Sequence, residues 1–234
     1  MPAALLAMYA VCGVTLFVEP QSHLRDVSWP AHAFVTLPAG WVKPTDEMFV
    51  LEEGRPIASQ IEVAARWPDG SPKWVHAYAS FRYSGGKPAA YLFEKRSKLP
   101  AEIPKSPLTL VDNPEGITID TGVIKLVVGR PFAITLFDRE GEPIIHGPGG
   151  PGMVDGRAIE WGAQLDDKAE IIVEQQGPAQ ATVKASGWYQ SADKRVEPFC
   201  RFVTRISAFA GSGIVKFDHA TIFEQFSISP GIRE

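Results

Sequence analysis

Arg66-Trp67-Pro68-Asp69-Gly70-Ser71-Pro72-Lys73-Trp74-Val75 is the stretch that decides how this chain of 234 residues folds. Its centre, residues 68–71, is a dense turn signal, because proline fixes φ and glycine accepts positive φ. Runs of strand-forming composition flank the turn at residues 61–67 and 74–83. The stretch therefore predicts a β-hairpin closed by a loop of several residues.

The second run, residues 74–83, alternates between small or apolar residues and polar or aromatic ones. A period of two over ten residues indicates a β-strand with one buried face. The predicted buried face consists of Val75, Ala77, Ala79, Phe81 and Tyr83. The predicted opposite face consists of Trp74, His76, Tyr78, Ser80 and Arg82.

Composition limits the classes of function. Hydrophobic residues make up 45% of the chain, enough to bury the core of one large or two ordinary β domains. The net charge of −4 gives no basic field for nucleic acid. Two cysteines, Cys12 and Cys200, make neither a disulfide framework nor a metal site. We predict no nucleic-acid partner, no metal and no cofactor.

Residues 1–18 are apolar and have two interpretations. Residues 1–13 are a candidate secretory leader with an apolar centre at 3–11, although no Lys or Arg precedes Arg25. Alternatively, residues 14–19 are already the first strand. A membrane-spanning helix is not expected, because the run is interrupted by Gly13 and is shorter than the roughly 20 residues needed.

The order of apolar runs and turns predicts an all-β chain of two domains. Six short strand-like runs without a helical period predict a small barrel or sandwich over residues 14–98. Residues 99–105 lie in a lysine- and proline-rich stretch that we interpret as a linker. Longer strand-like runs joined by tight turns predict an antiparallel β-sandwich over residues 106–234.

The aromatic and polar residues of the hairpin form the candidate binding site: Trp67, Trp74, His76 and Tyr78. Flat rings cover the apolar C–H face of a sugar, and polar ring edges bind its hydroxyls. The alternative is that these rings pack against a neighbouring strand or domain. No catalytic residue can be assigned beside them.

Other polar clusters have structural interpretations. The spacing of Asp166, Asp167 and Glu170 does not match an EF-hand loop, so a solvated charged turn is expected there. Asp218 and His219 are neighbours in a predicted strand, so their side chains should point to opposite sides.

One loop, a glutamine in a strand and the hairpin resemble the N-terminal region of exo-rhamnogalacturonan lyase-like proteins, a polysaccharide lyase family. That family's pattern is a P-x-G loop, a strand with a conserved glutamine, and a W-P-D-G-S-x-K-W hairpin. The corresponding residues here are Pro38-Ala39-Gly40, Gln60 and Trp67 to Trp74. Weaker similarity continues through Thr121 to Ile124, Tyr189, Arg205-Ile206, Ala210-Gly211 and Phe217 to Thr221.

The resemblance implies a secreted or cell-envelope enzyme that acts on pectin-type polysaccharide. It implies a small RIFT-like β-barrel, then an antiparallel β-sandwich, and then an α/α-toroid that carries much of the active site. No helical region is predicted before Glu234, so we expect the sandwich to be truncated and the toroid to be missing.

The resulting hypothesis is a non-catalytic N-terminal β region of a rhamnogalacturonan or pectin lyase-like protein, a scaffold that contacts glycan. One alternative is a stand-alone carbohydrate-binding module. Another is a structural or protein-interaction β domain whose exposed sheet edge pairs with a further segment.

Overall fold

The computed structural model describes residues 5–10, 13–18, 27–83, 89–96, 104–145, 149–193 and 195–224. Most of the predicted linker, residues 99–103, lies outside these described residues. The chain divides into two compact units. The first unit comprises residues 1–107 with two short additions, 177–180 and 210–212, and the second comprises the rest.

Eight of the described strands belong to the first unit: β1 (Leu5–Ala10), β2 (Gly13–Val18), β3 (Val27–Thr36), β4 (Glu47–Glu52), β5 (Arg55–Pro56), β6 (Ser59–Arg66), β7 (Pro72–Tyr83) and β8 (Ala89–Arg96). They form a five-stranded sheet, β1-β2-β8-β4-β5, and a three-stranded sheet, β3-β7-β6. Every neighbouring pair is antiparallel. The predicted hairpin is confirmed as β6 and β7.

Alternation along β7 places its small and apolar side chains in the core of the first unit. Val75, Ala77, Ala79 and Phe81 are buried there. The opposing sheet contributes Leu16 and Phe93 to the same hydrophobic cluster. Because side chains alternate across a strand, burial of this set presents Trp74, His76 and Tyr78 on the opposite side of the three-stranded sheet.

The second unit contains eleven further strands: β9 (Thr109–Asn113), β10 (Gly116–Asp120), β11 (Lys125–Gly129), β12 (Ala133–Phe137), β13 (Gly152–Val154), β14 (Glu160–Gly162), β15 (Glu170–Gln176), β16 (Gln180–Trp188), β17 (Gln190–Ser191), β18 (Cys200–Phe209) and β19 (Val215–Phe223). The sheets β12-β11-β10-β9 and β15-β16-β18-β19 contribute to one hydrophobic cluster. Leu126 and Val128 of the first sheet join Val183 and Phe202 of the second in it. A third, small sheet has the order β13-β14-β17.

The all-β prediction is confirmed, and the antiparallel sheets of the second unit are packed as a β-sandwich. The described strands of the first unit form two open sheets rather than a closed ring, so the RIFT-like barrel is not confirmed. Strand β1 lies within the candidate leader, residues 1–13, and pairs with β2. Within the described ranges, no helix combines the length and apolarity needed to cross a bilayer.

The Asp155 carboxylate is the basis for a prediction about acid stability. Burial alone would raise its pKa, but hydrogen bonds from Arg157, the Ile159 N–H and the Trp161 indole together lower the pKa well below its usual value. A carboxylate with a lowered folded-state pKa stabilises the fold above its unfolded pKa, and this contribution is lost as the pH falls.

Asp155→Asn is therefore expected to be less stable than the wild type at pH 7, with a difference that shrinks below about pH 4. Urea unfolding at several pH values measures this difference. Asp167→Asn, at an exposed position, is the control. A difference between Asp155→Asn and wild type that stays constant from neutral to acid pH would contradict the argument.

Candidate functional site

The loop between β6 and β7 is fixed by its own side chains. The Asp69 carboxylate accepts hydrogen bonds from the Ser71 N–H (2.9 Å) and the Ser71 hydroxyl (2.6 Å). These two bonds lower the pKa of Asp69, the hydroxyl more than the N–H. Gly70 has a φ of +83°, which glycine adopts without strain. The Asp-Gly-Ser segment thus has a structural role in closing the hairpin.

The same loop is joined to the loop that follows β3. Ser71 Oγ accepts a hydrogen bond from the Gly40 N–H at 2.9 Å. The Trp67 indole donates to the Leu37 carbonyl at 2.9 Å, and the Leu37 N–H donates to the Lys73 carbonyl at 2.7 Å. These contacts explain why the Pro-x-Gly loop and the hairpin motif occur together in the sequence.

Ser71→Ala is expected to destabilise the chain by roughly 1 kcal/mol, because the Gly40 N–H loses its neutral hydrogen-bond acceptor. Ser71→Thr keeps a hydroxyl and is the matched control. Urea denaturation followed by circular dichroism measures both variants. Equal stability of Ser71→Ala and wild type would show that the hydroxyl does not join the two loops.

Five rings lie together on the outer side of the three-stranded sheet, and we call them the aromatic face: His32, Phe34, Trp74, His76 and Tyr78. Neighbouring ring centroids are 4.9–6.1 Å apart. Three of the rings are open to solvent: His32 is exposed, Phe34 is 51% exposed and Trp74 is 41% exposed. Large apolar rings at the surface are typical of a binding surface.

The register of β3 on β7 brings these rings together. Phe34 lies opposite His76, and His32 lies opposite Tyr78. Directly opposed residues of antiparallel strands have close Cβ atoms, so aromatic residues at these positions contact each other. The Phe34 ring meets His76 edge-on at 4.9 Å, and His76 stacks with Tyr78 at 5.9 Å.

Polar atoms border the aromatic face. His76 Nδ1 is a buried nitrogen and, in the described part of the chain, has no hydrogen-bond partner. On the adjacent strand β6, Glu62 lies opposite His76 and accepts a hydrogen bond from the Gln60 amide at 2.6 Å. Because His76 Nδ1 is buried, the polar group of this border that a ligand hydroxyl would meet is the half-buried Glu62 carboxylate.

One end of the same sheet is covered by the two short additions to the first unit. The Gln180 N–H donates to Gln60 Oε1 at 3.3 Å, and the Ser80 hydroxyl donates to the Ala210 carbonyl at 3.4 Å. The Gln60 amide group lies close against Gly177, so a side chain at residue 177 would have to displace it. Phe34 and Trp74 lie towards the other end of the sheet.

The structure brings three of the four predicted site residues together on the aromatic face: Trp74, His76 and Tyr78. Trp67 follows β6 in the hairpin loop, where its indole N–H is bonded to Leu37. The Lys73 ammonium connects it to Trp74, lying 4.5 Å from the Trp67 ring centroid and 4.8 Å from that of Trp74. The Asp69 carboxylate is hydrogen-bonded to Ser71, and the contacts of the Lys73 ammonium are with the Trp67 and Trp74 rings.

His32 and Phe34 were missed by the sequence-based site prediction. The alternation of Ala31, Ala33 and Val35 with His32 and Phe34 was the available signal. It shows that the two rings share a side of β3, but the pairing of β3 with β7 is a long-range contact that alternation does not give.

A cleft of about 430 Å³ lies beside the hairpin loop. Its charged lining comes from Lys43, Asp46, Arg66 and Asp69. The two carboxylates are already bonded, Asp69 to Ser71 and Asp46 to the Lys43 N–H. Arg66 donates to the Gly70 carbonyl. These side chains hold the loops in place, and none of the five rings of the aromatic face lines the cleft.

A hydrogen-bonded histidine lies in the second unit. His219 Nε2 is 2.7 Å from the Tyr189 hydroxyl, and His219 Nδ1 is 2.8 Å from Thr204 Oγ1. Burial lowers the pKa of His219 and raises the pKa of Tyr189, which favours the neutral form of both. Since both ring nitrogens have partners, we interpret the cluster as a tie between β18 and β19. Asp218 points away and pairs with Lys216.

The expected solvated turn at residues 166–170 is wrong for Asp166. This side chain is buried and accepts hydrogen bonds from the Lys168 N–H at 3.1 Å and the Trp188 N–H at 2.8 Å. Asp166 thereby joins the turn to β16 instead of facing water. Among the described residues, no three His, Cys, Asp or Glu side chains are grouped to hold a metal ion.

Comparison with known proteins gives a distant sequence relative and a shared fold. No model of a known protein family matches the sequence. The uncharacterized protein YetA of Bacillus subtilis (strain 168) is 27% identical over 205 residues, which cover 80% of this chain and 22% of that protein. The chain therefore spans about a fifth of the length of this relative.

Two solved structures from Enterococcus faecalis are similar to 88% of the chain. An α-mannosidase from strain V583 matches with a TM-score of 0.54 and 13% identity over 29% of its own length. A protein in glycosyl hydrolase family 38 matches with a TM-score of 0.46 and 14% identity over 30% of its length. At 13% identity the likeness to the α-mannosidase concerns the fold alone.

Proposed function

We propose that this chain is a non-catalytic, glycan-contacting β region of a larger polysaccharide-active protein. The observation that carries the proposal is the aromatic face, where Phe34 and Trp74 are exposed next to His76. A sugar ring stacks its apolar C–H face on such rings, while imidazole and hydroxyl edges bind its hydroxyl groups.

The length of the matched proteins supports a role as part of a larger protein. The chain spans 22% of the sequence relative and 29% of the α-mannosidase. A region of this fold thus occurs inside an α-mannosidase, an enzyme that acts on a carbohydrate. On that ground we propose that the present chain also contacts a glycan. Fold likeness alone would not carry it, because one fold serves many functions.

The hairpin motif supports a finer proposal about the substrate. On the resemblance of residues 37–40 and 67–74 to lyase-like proteins, the proposed ligand is a pectin-type polysaccharide such as rhamnogalacturonan. The proposed location is the cell envelope or the medium, and the proposed catalytic partner is an α/α-toroid. The loop contacts of Ser71, Gly40 and Trp67 give the motif a structural role that is compatible with a scaffold.

Chemical arguments support the non-catalytic part of the proposal. β-Elimination needs a base that removes the proton next to the uronate carboxyl and an acid that assists the leaving oxygen. No residue of this chain is assigned either role, and we propose that the α/α-toroid supplies both. The purified chain should therefore generate no unsaturated, ultraviolet-absorbing product from rhamnogalacturonan, and appearance of that product would overturn this part.

A titration of intrinsic tryptophan fluorescence tests glycan contact. We expect oligogalacturonides to quench or enhance the wild-type emission with saturation at millimolar concentration or below. Phe34→Ala keeps Trp74 as the reporter and should weaken binding by about fivefold or more, given roughly 1 kcal/mol for one aromatic contact.

Trp29→Ala is the matched control for this titration. Trp29 is an exposed ring on β3, the strand that carries Phe34. It lies opposite the buried Phe81, so its side chain is on the side of the sheet away from the aromatic face. It should bind like the wild type after correction for the lost fluorophore. Equal weakening by Phe34→Ala and Trp29→Ala would place any binding elsewhere, and no wild-type signal would reject the proposal.

A stand-alone carbohydrate-binding module would use the same aromatic face. The two hypotheses differ in what surrounds the chain in its natural polypeptide. Sequencing of the transcript that encodes it separates them, because an open frame with helical segments downstream supports the larger enzyme. A stop codon at the end of this sequence supports the module.

A further inference from the structure

Among the described strands, β19 (residues 215–223) is the outermost of the sheet β15-β16-β18-β19. Its residues from Lys216 to Phe223 are exposed on both sides of the strand. Three of them are large and apolar: Phe217 is 47% exposed, Ile222 is 42% exposed and Phe223 is 53% exposed. An edge strand of this kind is a template for pairing with another strand.

The sequence of this edge is complementary to itself in the antiparallel direction. If two copies of residues 216–224 pair about Ala220, Lys216 of one copy lies opposite Glu224 of the other, and Phe217 lies opposite Phe223. His219 then lies opposite Thr221, and the smallest residue, Ala220, meets its own copy at the symmetry axis. Opposite charges and paired aromatic residues at facing positions stabilise antiparallel strands.

The position of the charges agrees with this register. Lys216 and Asp218 form an ion pair at 2.7 Å, and Glu224 accepts from Arg201 at 3.1 Å. All four side chains are largely solvent-accessible, so pairing would extend exposed ion pairs without burying a lone charge. Each end of the paired strands would then carry both signs of charge.

We propose that the exposed edge of β19 binds the same edge of a second copy of the chain, forming a two-fold symmetric dimer through antiparallel pairing. Self-complementarity favours a second copy over an unrelated strand. In a two-fold symmetric interface, residue i of one copy contacts residue j of the other, and residue j of the first copy contacts residue i of the second. The dimer uses the second unit, so this proposal is independent of glycan contact by the aromatic face.

The experiment is sedimentation velocity of the full chain over about a hundredfold range of concentration, with charge variants as the decisive samples. The wild type should change from monomer to dimer as concentration rises. Lys216→Glu places Glu opposite Glu224, and Glu224→Lys places Lys opposite Lys216, so each variant alone should dissociate at least tenfold more readily. An equimolar mixture of the two variants should dimerise again, since both facing pairs of residues 216 and 224 are then of opposite charge.

Circular dichroism establishes that each variant is folded, and Lys125→Glu, an exposed change on β11, is the control that should dimerise like the wild type. Ala220→Lys is a second probe, because it places two lysines at the symmetry axis and should prevent pairing. A wild type that stays monomeric overturns the proposal. So does a dimer that persists in the single variants, or a variant mixture that remains monomeric.

Discussion

Replacing Phe202 by alanine is expected to lower the free energy of unfolding by about 3–5 kcal/mol, the range for removing a large buried aromatic side chain. Phe202 is fully buried in β18. Its ring stacks on Phe132 at 5.4 Å and meets Tyr189 edge-on at 5.7 Å. The two flanking aromatic rings and the strand backbone cannot collapse fully into the space, so a cavity remains.

Urea unfolding monitored by near-ultraviolet circular dichroism measures the effect. Phe202→Leu keeps most of the side-chain volume and should cost clearly less than the alanine variant. Domain stabilities are typically only about 5–15 kcal/mol, so Phe202→Ala can leave the second unit partly unfolded at 37 °C. A loss below about 1 kcal/mol would mean that Phe202 is not in the core of the sandwich.

Replacing Phe81 by alanine is expected to have a similar effect on the first unit, about 3–5 kcal/mol. Phe81 is fully buried on the inner side of β7 and meets Tyr91 edge-on at 4.7 Å. The Tyr91 hydroxyl donates to Glu52 at 3.0 Å and accepts from the Arg82 N–H at 2.8 Å, so loss of Phe81 also loosens a partly buried hydrogen-bond network.

Hydrogen exchange of the β7 amides is the measurement for Phe81→Ala, because it reports opening of that strand directly. Protection of the strand should fall by a factor that corresponds to the lost stability. Ser80→Ala changes a neighbouring outward-facing residue and should leave most of the protection intact. Unchanged exchange in Phe81→Ala would show that β7 does not have its inner side against the five-stranded sheet.

The hairpin was predictable because its signals are local. The turn residues 68–71 and the alternation along residues 74–83 placed Val75, Ala77 and Phe81 inside and Trp74, His76 and Tyr78 outside, as observed. Local turn chemistry and a period of two require no knowledge of the rest of the chain.

The start of β3 was not predicted. The strand begins at Val27 and includes Pro30, a residue type that usually interrupts a strand. Proline lacks the N–H that an inner strand needs, but β3 is at the edge of its sheet and has β7 on one side only. Whether a strand is at an edge is a property of the whole fold, so the sequence signal was misleading.

The covered end of the aromatic face could not be predicted either. Residues 177–180 and 210–212 lie in turns of the second half of the chain, but they belong to the first compact unit. Their contacts with Gln60 and Ser80 join positions more than a hundred residues apart, and no local pattern encodes such contacts. The candidate site was therefore predicted on one strand and completed by the fold.

Calorimetric titration of the full chain with oligogalacturonide tests the central claim most directly. Wild type and Trp29→Ala should release or absorb saturable heat, and the double variant Phe34→Ala/Trp74→Ala should lose it, since two exposed rings together supply roughly 2 kcal/mol or more. Heat of the same affinity in the double variant, or none in the wild type, would contradict glycan binding by the aromatic face.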